Sequence, residues 1–210
     1  SGFDRTAHRE KLGVHEGEFV IGYFGLINRS KGIETLLEAA AILRADAVPL
    51  RLLLIGGTVG SSDPTNLAYL EEIDKRIDRL ELDAIVIRTG YVNESEVAAA
   101  LTACDVIAFP FRDGVSYRRG SLMAALQYGC AIVTTVSAVP NPDLIDGENM
   151  LLRPVDEARA LAVACRRLYH DPDLRASLST GALKLAQRFD WETIARETAA
   201  YFQTAAGARA

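Results

Sequence analysis

Apolar residues along this chain follow two alternating rhythms. Six short runs have strand length and little polar alternation: Phe19-Val-Ile-Gly-Tyr-Phe24, Leu50-Arg-Leu-Leu-Leu-Ile55, Ala84-Ile-Val-Ile87, Val106-Ile-Ala-Phe109, Ala131-Ile-Val-Thr134 and Asn149-Met-Leu-Leu152. Strands covered on both faces read this way. Between them, Ile33, Leu36, Leu37, Ala40 and Leu43 recur at helical spacing, as do Leu67, Leu70, Ile73, Ile77 and Leu80. Asn93 and Glu96 have the spacing of a capping box opening a helix through Cys104. A shorter helix is predicted from about Gly120 to Tyr128. From about Asp156 the rhythm is helical only, with helices expected over Ala158 to Tyr169, Leu174 to Phe189 and Trp191 to Gln203, and Pro172 marking the first break. Strands alternating with helices predict an α/β fold: a doubly wound, parallel, six-stranded Rossmann-like sheet with C-terminal helices. The expected organisation is a single domain over 1–210, with the sheet core at about 19–155 and the terminal helices at 156–206.

Composition narrows the function classes. At 210 residues and 49% hydrophobic, the chain has material for one sizeable core. Its pure apolar runs, such as Leu52 to Ile55, are far short of the ~20 residues of a membrane span. With no leader-like start, a cytoplasmic location is the expectation. Ser1-Gly2 reads as a cloning remnant, and the missing initial methionine suggests a piece of something longer. Cys104, Cys130 and Cys165 form no CxxC pair, and the three histidines do not cluster with them. They read as buried thiols in a reducing compartment, and no metal site is expected. A net charge of −5 argues against nucleic acid, so any anion must be held by a local cationic patch.

In an open parallel sheet the ligand crevice lies outside the carboxyl ends of the strands. This points to the loops at Gly25 to Gly32, Gly56 to Pro64, Gly90 to Asn93, Arg112 to Gly120 and Thr135 to Asn141. In the first, a strand ends in Gly25, and Lys31-Gly32 opens the next helix. A glycine, free helix N–H groups and a point charge suit a phosphate, but the spacing equally fits a solvated turn. In the loop Arg112 to Ser121, Arg118 and Arg119 directly precede Gly120-Ser121 at a helix start, where a diphosphate is well held. The competing reading is a surface loop whose arginines merely solvate. Because successive residues of an extended loop point opposite ways, one arginine faces the crevice, and Arg119 is the closer to the helix start. At Gly90-Tyr91-Val92 the backbone edge offers a pairing surface for a base and Tyr91 a stacking ring. Tyr91 also reads as a half-buried packing residue.

The ordered set of motifs resembles the C-terminal domain of the large retaining "group one" GT-B glycosyltransferase family, from about Phe19 to Phe202. The resemblance is carried by Phe24-Gly25, Lys31-Gly32, Leu36-Leu37-Glu38-Ala39, Leu54-Ile55-Gly56-Gly57 and Gly90-Tyr91-Val92. It continues through Ala103-Cys104-Asp105-Val106, Pro110, Gly129 to Thr135, Leu144 to Asn149, Asp171-Pro172 and Phe189-Asp190-Trp191. The resemblance implies a domain that binds a nucleoside-diphosphate sugar, with Lys31 at the position of the family's diphosphate lysine. The implied donor-binding set is Gly25, Asn28, Arg29, Lys31, Gly57, Tyr91, Val92, Ser116, Arg118, Arg119, Gly120 and Ser121.

The chain also departs from the pattern. The arginine usual after the strand-ending glycine is Leu26, with Arg29 as a substitute. The two glutamates of the family's donor loop and following helix fall, counted from Gly129, on Ser116 and Ala124. Asp113 is the acidic candidate for a catalytic role.

The expected function is donor binding for retaining sugar transfer, without cofactor or metal, to an unknown acceptor. The acceptor domain that precedes this one in the family is absent, so the isolated domain is expected to be inactive, and any peripheral membrane link would run through that half. The rival reading is a non-catalytic nucleotide-sugar or anion-binding module. A receiver-like signalling domain would need acidic residues at the strand ends, where Gly25, Gly57 and Gly90 stand instead.

Overall fold

The computed structural model describes residues 4–57 and 64–207. Six strands, β1 (Phe19–Phe24), β2 (Leu50–Ile55), β3 (Val86–Arg88), β4 (Val106–Phe109), β5 (Ile132–Thr135) and β6 (Leu151–Arg153), form one sheet in the order β3-β2-β1-β4-β5-β6. Every neighbouring pair is parallel. The helices are α1 (Arg5–Lys11), α2 (Ile33–Ala45), α3 (Pro64–Arg79), α4 (Glu94–Ala103), α5 (Gly120–Gln127), α6 (Ala158–His170), α7 (Pro172–Ala186) and α8 (Trp191–Gly207). Short 3-10 turns lie at Arg29–Lys31 and Gln187–Phe189. This is the doubly wound Rossmann-like architecture that the two rhythms predict.

The central strands lack alternation because helices cover both faces of the sheet: all four residues of β4 and of β5 are buried. The predicted stripe of α2 is buried in full, from Ile33 to Leu43, and α2 packs on α6 while α5 packs on α7. The capping box of α4 forms as spaced: the Asn93 side chain accepts from the Glu96 N–H, and the Glu96 carboxylate accepts from the Asn93 N–H. Gly22 interrupts β1 for a steric reason. A Cβ there would lie 2.5 Å from Cys104 Sγ and 2.6 Å from Ile107 Cδ1. The glycine thus admits the end of α4.

The amino ends of β1 and β4 are clasped by Asp105. Its carboxylate accepts the Val20 N–H at 2.7 Å, and its own N–H donates to the Val20 carbonyl at 2.9 Å. Arg5 and Arg9 add ion pairs at 2.6 and 3.2 Å. These arginines belong to α1, a helix absent from the expected pattern. It buries no residue and so has no apolar stripe to read. Charge, with the Asp4 cap on the Ala7 N–H, attaches it to the domain.

Several expected boundaries shift. β3 and β6 start two residues later than expected, α7 starts at Pro172 behind an Asp171 cap, and α8 runs on to Gly207. Leu67, expected in the buried stripe of α3, is exposed, while Leu70, Ile73 and Ile77 are buried. Tyr201 and Phe202 on α8 are exposed. The cysteines are free thiols; burial pushes Cys130 and Cys165 up to about 12. No helix among the described residues is long and apolar enough to cross a membrane.

Candidate functional site

The strand order reverses between β1 and β4, and the loops leaving these two strands face each other across the crevice. The first wall starts at Gly25, whose φ of +140° turns the chain out of β1. The Tyr23 hydroxyl donates to the Leu26 carbonyl at 2.9 Å and braces this exit. The Asn28 side chain caps the following turn, accepting from the Ser30 N–H at 3.1 Å and the Ser30 hydroxyl at 2.8 Å. Gly32, with φ +66°, is the N-cap of α2, and a Cβ on it would run into the Pro110 carbonyl oxygen. The Arg112 N–H also donates to the Ser30 carbonyl at 3.1 Å. The first wall is therefore docked on the chain leaving β4.

The second wall is built on Phe111. Its ring is fully buried and stacked on Phe109, with centroids 5.1 Å apart and planes 9° apart. Its carbonyl accepts the Thr135 hydroxyl at 2.6 Å. Gly114, at φ +78°, lies against the backbone of residues 136–138. Arg119 is the N-cap of α5 and places no side-chain hydrogen bond on that helix end. The first-turn N–H groups therefore remain available for an anion.

Two cations meet here. The Arg119 guanidinium lies 4.0 Å over the Phe111 ring, and Lys31 Nζ lies 5.5 Å over the same ring. Arg119 is 10% exposed, pairs with Asp113, and has a buried Nε without a hydrogen-bond partner. Burial and the neighbouring Arg119 hold the Lys31 amine below the usual lysine range, with Asp113 acting in the opposite sense. Across the crevice, a Cβ on Gly25 would come within 3.9 Å of Ser121 Cβ. The structure thus brings Gly25, Lys31, Asp113, Arg119, Gly120 and Ser121 together. Two cations against one carboxylate make a locally positive mouth in a chain of net charge −5.

Other predicted residues lie apart from this cluster. Arg29 turns to α3, pairing with Glu72 at 2.7 Å and lying 5.1 Å over the Tyr69 ring. Arg118 is exposed and forms no ion pair among the described residues. Ser116 is half-buried, and its carbonyl accepts the Arg119 N–H at 3.2 Å. At the β2–β3 side, Gly56 bridges Gly90, and Gly57 lies against Tyr91. Tyr91 is 90% exposed, which overturns its reading as a half-buried packing residue. Val92 is half-buried against the core. The remainder of the predicted Gly56 to Pro64 loop, residues 58–63, lies outside the described residues.

The sequence reading missed Phe111. An apolar residue between Pro110 and Arg112 carries no turn or charge signal, and only the fold shows that two cations share its ring. It also missed the brace behind it. Arg112 pairs with Asp156 at 3.0 Å and lies 3.6 Å from the buried Glu34 on α2.

A family model described as "Glycosyl transferases group 1" matches residues 18–171. The chain belongs to that family. Among curated relatives, a D-inositol 3-phosphate glycosyltransferase of Stackebrandtia nassauensis is 31% identical over 198 residues, covering 90% of this chain and 42% of the relative. A putative glycosyltransferase, EpsD, of Bacillus subtilis is 30% identical over 182 residues, covering 86% of this chain and 44% of its own length. The chain spans less than half the length of the curated relatives it matches. Among solved structures, Anabaena Alr3699/HepE in complex with UDP-glucose superposes with a TM-score of 0.82 at 24% identity, covering 97% of this chain and 53% of the other. The C-terminal domain of the group 1 family protein LpcC from Francisella tularensis, a single domain of similar size, superposes with a TM-score of 0.73 at 20% identity, covering 88% and 91%. Members of this family are glycosyltransferases, and this chain has the fold of one half of the GT-B pair.

Proposed function

We propose that this chain is the donor-binding domain of a retaining glycosyltransferase, and that the diphosphate of a nucleotide sugar lies at the β1/β4 crevice against Lys31, Arg119 and the start of α5. The observation that carries this reading is the meeting of Lys31 and Arg119 over one ring, beside a helix end with no side-chain cap. Opposite charge arriving between two crowded cations relieves their repulsion, and each charge-assisted hydrogen bond contributes about 1.5–3 kcal/mol. The UDP-glucose complex of the Anabaena neighbour supports a nucleotide sugar as the ligand class.

In transfer, the charge that develops on the leaving diphosphate would be met by these two cations and by backbone N–H groups already in place. Such preorganised donors stabilise a leaving group without a metal. The acceptor would be supplied from outside this domain, in keeping with relatives of about twice its length. The test is calorimetric titration of the domain with UDP, GDP and ADP beside the bare nucleosides. Diphosphate binding well above nucleoside binding supports the reading, whereas a folded domain indifferent to all three diphosphates removes it. Transfer requires the full-length protein, and the anomeric configuration of its product decides retention.

A second reading, a non-catalytic binding module, is favoured by one observation. Ser116 and Ala124 stand where the resemblance places glutamates, and the carboxylate near the cleft, Asp113, is already paired with Arg119. Full-length protein that binds the diphosphate but neither hydrolyses nor transfers the donor establishes that reading.

A further inference from the structure

We propose that Phe111 is a positioning residue of the anion site: a rigid aromatic seat that holds Lys31 and Arg119 side by side so that one diphosphate engages both. The proposal rests on the donor reading above. Lys31 and Arg119 carry like charges, and their proximity is one of the causes that lower the lysine's pKa. Something must oppose that repulsion. Asp113 takes one edge of the Arg119 fork, but its own side chain is 64% exposed, and an exposed carboxylate is a weak anchor. Lys31 forms no ion pair among the described residues. Both cations also lie over one ring, at 4.0 and 5.5 Å from its centroid, and unlike Asp113 that ring is fully buried. Both distances fall within the range at which a cation is attracted to an aromatic face, and the attraction strengthens where water is excluded.

The ring itself is fixed from several sides. It is fully buried and stacked on Phe109, which meets Tyr23 edge-on at 6.2 Å. Its main chain is tied at both polar groups: the Phe111 N–H donates to the Phe109 carbonyl at 2.9 Å, and the carbonyl accepts from Thr135. The two cations come from separate loops, Lys31 after β1 and Arg119 after β4. A seat anchored in the sheet sets their spacing before any ligand arrives. That spares the ligand the cost of ordering two long side chains.

Phe111→Leu tests this, because leucine keeps an apolar side chain in the core and removes the quadrupole. Phe19→Leu is the control: it removes a buried aromatic ring from the amino end of β1, away from the strand ends that carry both cations. The probes are inorganic pyrophosphate, a nucleoside diphosphate and the bare nucleoside, with circular dichroism and melting on each variant. Phe111→Met serves as a second variant should Phe111→Leu fold poorly. The expected result is a loss on the order of tenfold for both diphosphate probes in the Phe111 variants, nucleoside affinity within twofold, and an unchanged diphosphate-to-nucleoside ratio in Phe19→Leu. Equal loss of that ratio in both positions, or no loss at Phe111, overturns the proposal and assigns the ring to packing. Failure of the donor reading shows separately, as a wild-type domain that binds neither diphosphate probe, and the proposal then falls with it.

Discussion

The backbone of Gly32 rests against the carbonyl oxygen of Pro110, with no room between them for a Cβ. This contact joins the two walls of the crevice, and it also demands a left-handed conformation at Gly32. Gly32→Ala therefore carries two costs: about 1–2 kcal/mol for the conformation, and the displacement of the loop from Pro110. Denaturant unfolding should show a fall beyond the conformational figure alone. Diphosphate affinity should fall with it, because Lys31 is carried off its seat. A variant as stable as the wild type disproves the contact.

Arg119 and Arg118 are adjacent, yet only Arg119 is turned into the cleft. Arg119→Ala should weaken nucleoside diphosphate binding tenfold or more, as expected for a lost charge-assisted contact of about 1.5–3 kcal/mol. Arg118→Ala should stay within twofold. Arg119→Lys should recover only part of the loss, since an ammonium lacks the planar fork and its stacking. Titrations of the three variants, with folding checked by circular dichroism, decide the matter; equal losses at both arginines contradict the geometry.

Lys31 makes binding sensitive to alkaline pH. In the free domain its amine is held below the usual lysine range of about 10.4 by burial and by Arg119. A bound diphosphate favours the charged amine, so binding takes up a proton where the free amine is neutral. Affinity should accordingly be full below the lowered pKa and decline as pH rises through it, before an ordinary lysine would titrate. The same window has a folding consequence: the unfolded chain holds a proton that the native amine lacks, so this group's contribution to stability improves with rising pH there. Lys31→Ala should lose much of the diphosphate affinity, leave nucleoside affinity nearly intact, and flatten the alkaline decline. A decline that persists in the variant assigns it to another group.

Asp105 belongs to the opposite end of the sheet. Its replacement by alanine leaves the Val20 N–H without its acceptor and Arg5 and Arg9 without their ion-pair partner, which should cost about 2–3 kcal/mol. Diphosphate affinity of the folded fraction should be unaltered. A stability loss accompanied by a binding loss would show coupling across the sheet that the contacts do not predict.

These four cases also show which features were legible in the sequence. The strands and most helices were, because strands buried on both faces and amphipathic helices write their burial directly into the order of residues. The Asn93–Glu96 box and the orientation of Arg119 followed from equally local rules. α1 was not legible, since charge rather than an apolar stripe attaches it. Arg29 matched the crevice by spacing, but Glu72 and Tyr69, forty residues further on, draw its side chain onto α3. Phe111 and the reciprocal clasp of Asp105 on Val20 depend on strands brought together from distant parts of the chain. No window of neighbouring residues contains that information.

The strand order has a kinetic implication. β1, β2 and β3 lie on one side of the reversal, and β4, β5 and β6 on the other. β1 meets β4 only by closing a chain loop of some eighty residues, as in the pairing of Ile21 with Val106. Such long closures are slow relative to pairing between nearer segments. Lys31 is borne by the first half and Arg119 by the second, so neither half alone contains the anion site. During refolding, recovery of pyrophosphate binding should therefore report the joining of the halves and lag the return of helical signal.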